Sequence, residues 1–312
     1  MKPARGPIAA APLVLLLLVA GCAERPVAPG PATPPPPVGQ PVMPPPPRIV
    51  DAQTFRLSAP AQQGGLLSGI VPADTALLLL DGKPVRFAAD GRFILGFGRD
   101  QGPSAILEAR MQDGRLLRLP IAVAPRHWDV SSLPTLYQGT SPSEAYRKIR
   151  AAEFAQIEAA RGVHAESDGW RQAFHWPATG RISTMFGSQR IYAHGVAGAP
   201  HGGLDIARTP GGPVLEGTAA RAPADGIVVL ATDHPFSLEG NLVMIDHGFG
   251  LVSALMHLQR IDVKTGDRVA RDQEIGLIGR TGRATGPHLH WGMTWYDVRI
   301  DPILLVGPMP NP

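Results

Sequence analysis

Apolar residues along this chain fall into four patterns in turn. Residues 8–20 are almost unbroken in their hydrophobicity and follow the cations Lys2 and Arg5. That length matches the core of an export signal and falls short of the ~20 residues a bilayer crossing needs. Residues 24–48 show no period at all. From 49 to about 124, short β-type runs alternate with turn signals. The run 76–80 leads into Asp81-Gly82, 85–88 into Asp90-Gly91 and then 92–97, and 105–111 meets 116–123 across Asp113-Gly114. Asp-Gly between apolar runs is a strong hairpin cue, so this segment predicts a small antiparallel β-sandwich. The period then becomes helical. Ser141 is expected at the N-cap, Pro142 at the first helical position and Glu144 in a capping box. Tyr146, Ile149 and Ile157, with Phe154 alongside, form the expected apolar stripe, and Gly162 the C-cap. Such a helix is expected to pack against a neighbouring domain, with a lid over a cleft as the alternative. From Gly180 onward the chain is strand-rich and glycine-rich.

Composition changes the reading of the first part. The chain has 34 prolines in 312 residues, many of them within 24–48, a segment too proline-rich for helix or central strand. It reads as an extended polyproline tether. The single cysteine, Cys22, follows Leu18-Val19-Ala20-Gly21. This resembles the bacterial lipobox, in which the signal is cleaved before the cysteine and the thiol carries a diacylglycerol. A lipid anchor on Cys22 is therefore expected, and Ala23 after it favours the outer membrane, facing the periplasm.

One cysteine also excludes internal disulfides and a Cys-rich zinc knuckle, so any metal must be held by His and carboxylate. Net charge is +3 and no dense Lys/Arg cluster appears, which argues against a nucleic-acid partner. The ten histidines carry the candidate chemistry. Three places stand out: His201 with Asp205, His257, and His288 with His290. On a strand, positions i and i+2 share a face, so His288 and His290 serve one site or one surface. Catalytic zinc usually takes three protein ligands and leaves a fourth position for water, which Asp205 and two histidines would satisfy. Spacing alone leaves open which histidine of the 288/290 pair binds metal. His-Glu-x-x-His is absent, against a thermolysin-like arrangement.

The motifs run in a familiar order: GRISTMFG at 180–187 with Arg190, HGGLD at 201–205, APADGIV at 222–228, GNLVMIDHG at 240–248, LMHL at 255–258, GDRV at 266–269, GRTGRATGPHLH at 279–290, and Asp301-Pro302. This pattern closely resembles the M23 metallopeptidases, the lysostaphin-like and LytM-like peptidoglycan endopeptidases. The resemblance implies a mainly β chain, its C-terminal domain an antiparallel sheet preceded by the small sandwich and a helical connector. It implies one zinc ion per chain, with His201, Asp205 and His290 as ligands and His257 and His288 as the catalytic pair facing substrate. His247 matches a structural position, whereas His127, His164, His175, His194 and His234 match no metal position.

The implied activity is hydrolysis of peptide cross-links in peptidoglycan, the partner being its stem peptides. The bond cut is either D-alanyl–diaminopimelate or a glycine bridge. The alternative is a non-catalytic protein that activates a cell-wall amidase; such relatives lose ligands or catalytic histidines, and all five are present here. The expected organisation is signal peptide 1–21, lipidated Cys22 and tether 22–48, sandwich 49–125, connector 126–175 and peptidase domain 176–307.

Overall fold

In the computed structural model, residues 49–50, 55–136 and 143–310 are described. The export signal, Cys22, the proline tether, Ser141 and Pro142 lie outside them. Residues from 46 onward belong to one compact unit, mainly β with a single α-helix among the described residues.

The first part contains β1 (Leu66–Ile70), β2 (Thr75–Leu80), β3 (Arg92–Gly96), β4 (Ser104–Met111) and β5 (Leu116–Ala124). β2, β4 and β5 are neighbours in one sheet, and β1 and β3 pair in another. The Asp-Gly cues mark real turns. Asp81 and Gly82 both have positive φ, 47° and 77°, as a two-residue hairpin after β2 requires. Along β4 the inward side chains are Ala105, Leu107, Ala109 and Met111, a period of two that faces the core.

The second part is an antiparallel sheet built from β6 (Arg181–Thr184), β7 (Gly203–Ala207), β8 (Gly226–Ala231), β9 (Asn241–Asp246), β10 (Leu251–Ile261), β11 (Glu274–Ile278), β12 (His288–Trp295) and β13 (Val298–Ile300). Its spatial order is β6-β7-β12-β10-β9-β8, with β11 paired to the end of β10 and β13 to the end of β12. β9 is buried on both faces, so its sequence reads as a continuous apolar run instead of an alternation. Val243 and Ile245 join the main core, while Leu242 and Met244 join a second cluster under the helix.

That helix, α1 (Glu144–Arg161), starts later than the sequence led us to expect. Ser143 is the N-cap, and its hydroxyl accepts the N–H of Tyr146 at 3.2 Å. The stripe also differs. Ile149 and Phe154 are exposed, and the buried face is Glu153, Ile157 and Ala160. The reason is the docking partner. Ile157 and Ala160 pack on Val229, Leu242 and Met244, whereas Glu153 meets a polar loop. Gly162 caps the C-terminus, as expected.

The main core runs without interruption from Phe55, Leu67, Phe93 and Leu95 into Leu204, Ile206, Leu255, Trp291 and Ile300. Backbone and indole meet directly at the join: a Cβ on Gly96 of β3 would lie 2.8 Å from Trp295 Cβ. Beside it, Arg126 Nη2 donates to buried Asp301 Oδ2 at 2.8 Å, and Asp301 N–H donates to the Gly64 carbonyl at 2.7 Å.

Candidate active site

Three adjacent strands assemble the site. In the β7–β12 register Asp205 lies directly opposite His290 and Ala207 opposite His288; in the β10–β12 register Met256 lies opposite His290. Directly opposed side chains on one face have Cβ atoms roughly 5 Å apart, so Asp205 and His290 are brought together by pairing alone. His201 enters from the loop before β7, its N–H donating to the Ser188 carbonyl at 2.8 Å. Gly203 is required by close approach: a Cβ there would lie 2.4 Å from the Trp291 carbonyl oxygen and 2.8 Å from His290 Nε2.

His201 Nε2, His290 Nδ1 and Asp205 Oδ1 form a triangle. Its sides are 3.1 Å between the two nitrogens, 3.2 Å from His201 to Asp205 and 2.8 Å from His290 to Asp205. Tetrahedral zinc, with bonds near 2.0–2.1 Å, has ligand–ligand edges of ~3.3 Å, so these donors stand within about half an ångström of that spacing. Two imidazole nitrogens and one carboxylate oxygen also suit such an ion chemically. The arrangement is set for it in a further respect. His201 Nδ1–H donates to the Met185 carbonyl at 3.2 Å, which leaves Nε2 as the lone-pair nitrogen aimed into the triangle. Burial alone would raise the Asp205 carboxyl, but the His201 and His290 rings beside it outweigh that and hold it well below the usual carboxylate range. Burial also lowers the pKa of His290.

The second pair lies alongside. His257 and His288 have ring centroids 4.7 Å apart. His257 has φ at 64°, a left-handed conformation uncommon outside glycine. Its backbone N–H donates to the Glu239 carbonyl at 2.9 Å and its Nδ1–H to the Thr281 carbonyl at 2.8 Å. A carbonyl only accepts, so the proton sits on Nδ1 and Nε2 keeps its lone pair. Burial lowers the His257 pKa to about 4, keeping the ring neutral through the neutral range. His288 Nδ1–H donates likewise to the Gly286 carbonyl at 2.8 Å. Gly240 and Gly282 let two turns close over the Thr281 backbone: a Cβ on Gly240 would lie 2.4 Å from the Thr281 carbonyl carbon.

All five residues line a cleft of about 420 Å³. One of its walls comes from outside the sheet. Arg150, Phe154, Ile157 and Arg161 of α1 also line this cleft, so the helix both packs on the sheet and flanks the site. Arg150 forms a two-pronged ion pair with Glu239 and a further contact with Glu153 at 3.1 Å; Glu153 accepts from both the N–H and the hydroxyl of Ser237 at 2.6 Å. Burial opposes charge on Glu153, yet the Ser237 and Arg150 hydrogen bonds prevail and lower its pKa. Residues 150 and 239 are too far apart in sequence for any local pattern to reveal the pair.

His247 is elsewhere, fully buried beneath the sheet. Its Nδ1–H donates to the Asp225 carbonyl and its Nε2 accepts from the Ser253 hydroxyl, each at 2.8 Å, while Trp291 Nε1–H reaches the same hydroxyl at 3.3 Å. Both ring nitrogens are satisfied, as a structural histidine needs, and burial lowers its pKa to about 4.

Residues 199–302 match the sequence profile described as peptidase family M23. A peptidoglycan DD-endopeptidase, ShyA of Vibrio cholerae, is 43% identical over 111 residues, which cover 36% of this chain and 24% of the relative. The cell division protein DipM of Caulobacter vibrioides is 32% identical over 135 residues, 43% of this chain and 20% of the relative. This chain thus spans about a quarter or less of the length of these two relatives. A Pseudomonas aeruginosa crystal structure assigned to peptidase M23 is 28% identical, with a TM-score of 0.60, covering 80% of this chain and 96% of that one.

Proposed function

We infer, for a chain whose residues 199–302 form a peptidase family M23 domain, that it is a zinc-dependent endopeptidase cutting peptide cross-links of peptidoglycan. The carrying observation is the assembly of a metal-competent His201–Asp205–His290 triangle and a separate His257–His288 pair in one cleft. A zinc ion held by that triangle would supply the Lewis acidity that polarises a peptide carbonyl. His257, neutral with a free Nε2, is suited to accept the proton of the attacking water. His288, next to it, shares that duty or hydrogen-bonds the oxyanion as it develops. The strand edges and the α1 wall hold an extended peptide across these groups.

The Vibrio relative's description as a DD-endopeptidase supports a D-alanyl–diaminopimelate bond over a glycine bridge. The lipobox reading at Cys22 supports a body tethered to the outer membrane on its periplasmic side, within reach of the wall. An amidase activator would have no use for five intact site residues, which disfavours that alternative.

The test is digestion of purified cross-linked peptidoglycan by residues 46–312, the compact unit, with and without chelator. A chelator-sensitive fall in the ratio of dimeric to monomeric muropeptides, with new D-alanine carboxyl termini, is the expected result. An unchanged ratio from folded, zinc-loaded protein would overturn the endopeptidase reading.

A further inference from the structure

We propose that Arg299 and Arg161 form a carboxylate-binding subsite beside the metal triangle, reading an acidic group of the peptide that occupies the cleft. The inference deepens the endopeptidase reading and rests on it for the peptide nature of the ligand.

Arg299 stands on β13 opposite Thr294 of β12. Its side chain crosses the backbone next to His201: a Cβ built on Gly202 would lie 3.4 Å from Arg299 Cδ and Nε and 3.5 Å from Cζ. Arg161 reaches the same place from the end of α1. Both line the metal cleft, and both line a bordering cavity of about 400 Å³, with Thr294 common to the two. Their hydrogen-bonding capacity is largely unspent. Arg299 makes no hydrogen bond or ion pair among the described residues, and Arg161 pairs only with Glu158, while its Nε is buried without a partner.

The neighbouring arginines are different. Arg150 is committed to Glu239 and Glu153, and Arg99, in the bordering cavity, to Asp100, Gln189 and the Gly187 carbonyl. Apart from Glu158, the nearby carboxylates do not serve as internal partners. Asp205 belongs to the metal triangle, Glu239 to Arg150, and Asp297 pairs with neither arginine. A guanidinium carries five donors in a planar fork matched to a carboxylate; Arg299 is exposed and presents its fork to the cleft, whereas the buried Arg161 Nε lacks an acceptor, which is costly. Two such forks bordering one cleft call for an anionic, two-oxygen acceptor from the ligand. On a peptide that acceptor is a free carboxylate. Arg161 lies outside the residues that match the family profile, so α1 would add a specificity of this chain's own to the peptidase domain.

The experiment compares cross-linked stem-peptide dimers carrying a free diaminopimelate carboxylate with their amidated counterparts. Wild type should favour the free acid by about tenfold or more in kcat/KM, the effect of one charged hydrogen-bonded contact. Arg299→Gln and Arg161→Gln should each bring that ratio down several-fold, and the double variant should bring it close to one, with melting temperature checked to exclude misfolding. In parallel, calorimetry measures an L-alanyl–D-glutamyl–diaminopimelate tripeptide and its amide on wild type and Arg299→Gln. Equal cleavage of acid and amide by wild type overturns the subsite and leaves the endopeptidase standing. No cleavage of either, with acid-selective binding that depends on Arg299, overturns the endopeptidase and leaves the subsite. Loss of both overturns both.

Discussion

His257 and Asp205 sit in one cleft, but their surroundings give them separable duties. Asp205 is part of the triangle, so Asp205→Ala removes a donor and should lower zinc stoichiometry together with activity. His257 is held by Glu239 and Thr281 carbonyls and not by the triangle. His257→Ala should therefore retain zinc while the rate falls by ~10²–10⁴, the usual yield of a positioned general base. Metal analysis and muropeptide kinetics on both variants check this, and zinc loss in the His257 variant would refute the division. His247 makes a prediction about stability. Unfolded, its imidazole takes up a proton as pH drops below about 6.5; folded, it stays neutral until about 4. Its contribution is therefore complete above pH 6.5 and is lost as pH falls toward 4, by on the order of 3 kcal/mol. Denaturant unfolding at pH 7.5 and 4.5 should show wild type losing more stability than His247→Gln; equal losses would acquit this histidine. That these five residues share one cleft was legible because each lies in a short motif on a strand or at its mouth. Arg299, Arg161 and Glu239 were not, since what distinguishes them is the presence or absence of a partner remote in sequence.

At the level of elements, α1 shows why a helical stripe is a weak guide to what a helix touches. Ile149 and Phe154 look like core residues on a wheel, yet the docking surface offers apolar contact only to Ile157 and Ala160. The remaining anchor is electrostatic: Arg150 joins Glu153 to Glu239, whose own carbonyl holds the His257 N–H. Helix, loop and His257 are thus mechanically linked. Arg150→Met keeps the apolar stem but strands two buried carboxylates, at a cost of about 2 kcal/mol. Faster hydrogen exchange is expected along α1 and at the His257 amide, with zinc retained and a several-fold lower kcat. Unchanged exchange at His257 would show that the helix docks without steadying the site. The strands were read more accurately than the helix because period two and Asp-Gly turns are local signals, as β4 and the Asp81-Gly82 turn show. The shift of the N-cap from Ser141 to Ser143 reflects two serines with equal local claims.

Across the described residues as a whole, the N-terminal sheets and the sheet of residues 181–300 share one core, which ties their stabilities together. Sequence motifs mark the two parts as separate, because the residues at the join carry no pattern: a glycine on β3, an indole on β12, and an arginine that finds Asp301 across the fold. Asp301 illustrates the energetics. Burial raises its pKa even though the Arg126 pairing pulls the other way, so the carboxylate depends on that one cation. Arg126→Met should cost about 2 kcal/mol, discounted because the guanidinium is part-exposed. Gly96→Ala forces a methyl into Trp295 and should cost about 1–3 kcal/mol. If the core is continuous, neither change unfolds one half alone. Calorimetry of residues 46–312 should give one transition whose calorimetric and van't Hoff enthalpies agree, and both variants should shift it downward whole. Two resolved transitions, with only the first displaced by Gly96→Ala, would mean that the join is a contact between independent domains. The sandwich would then be a separable module, and the cleft would have to keep its geometry without it.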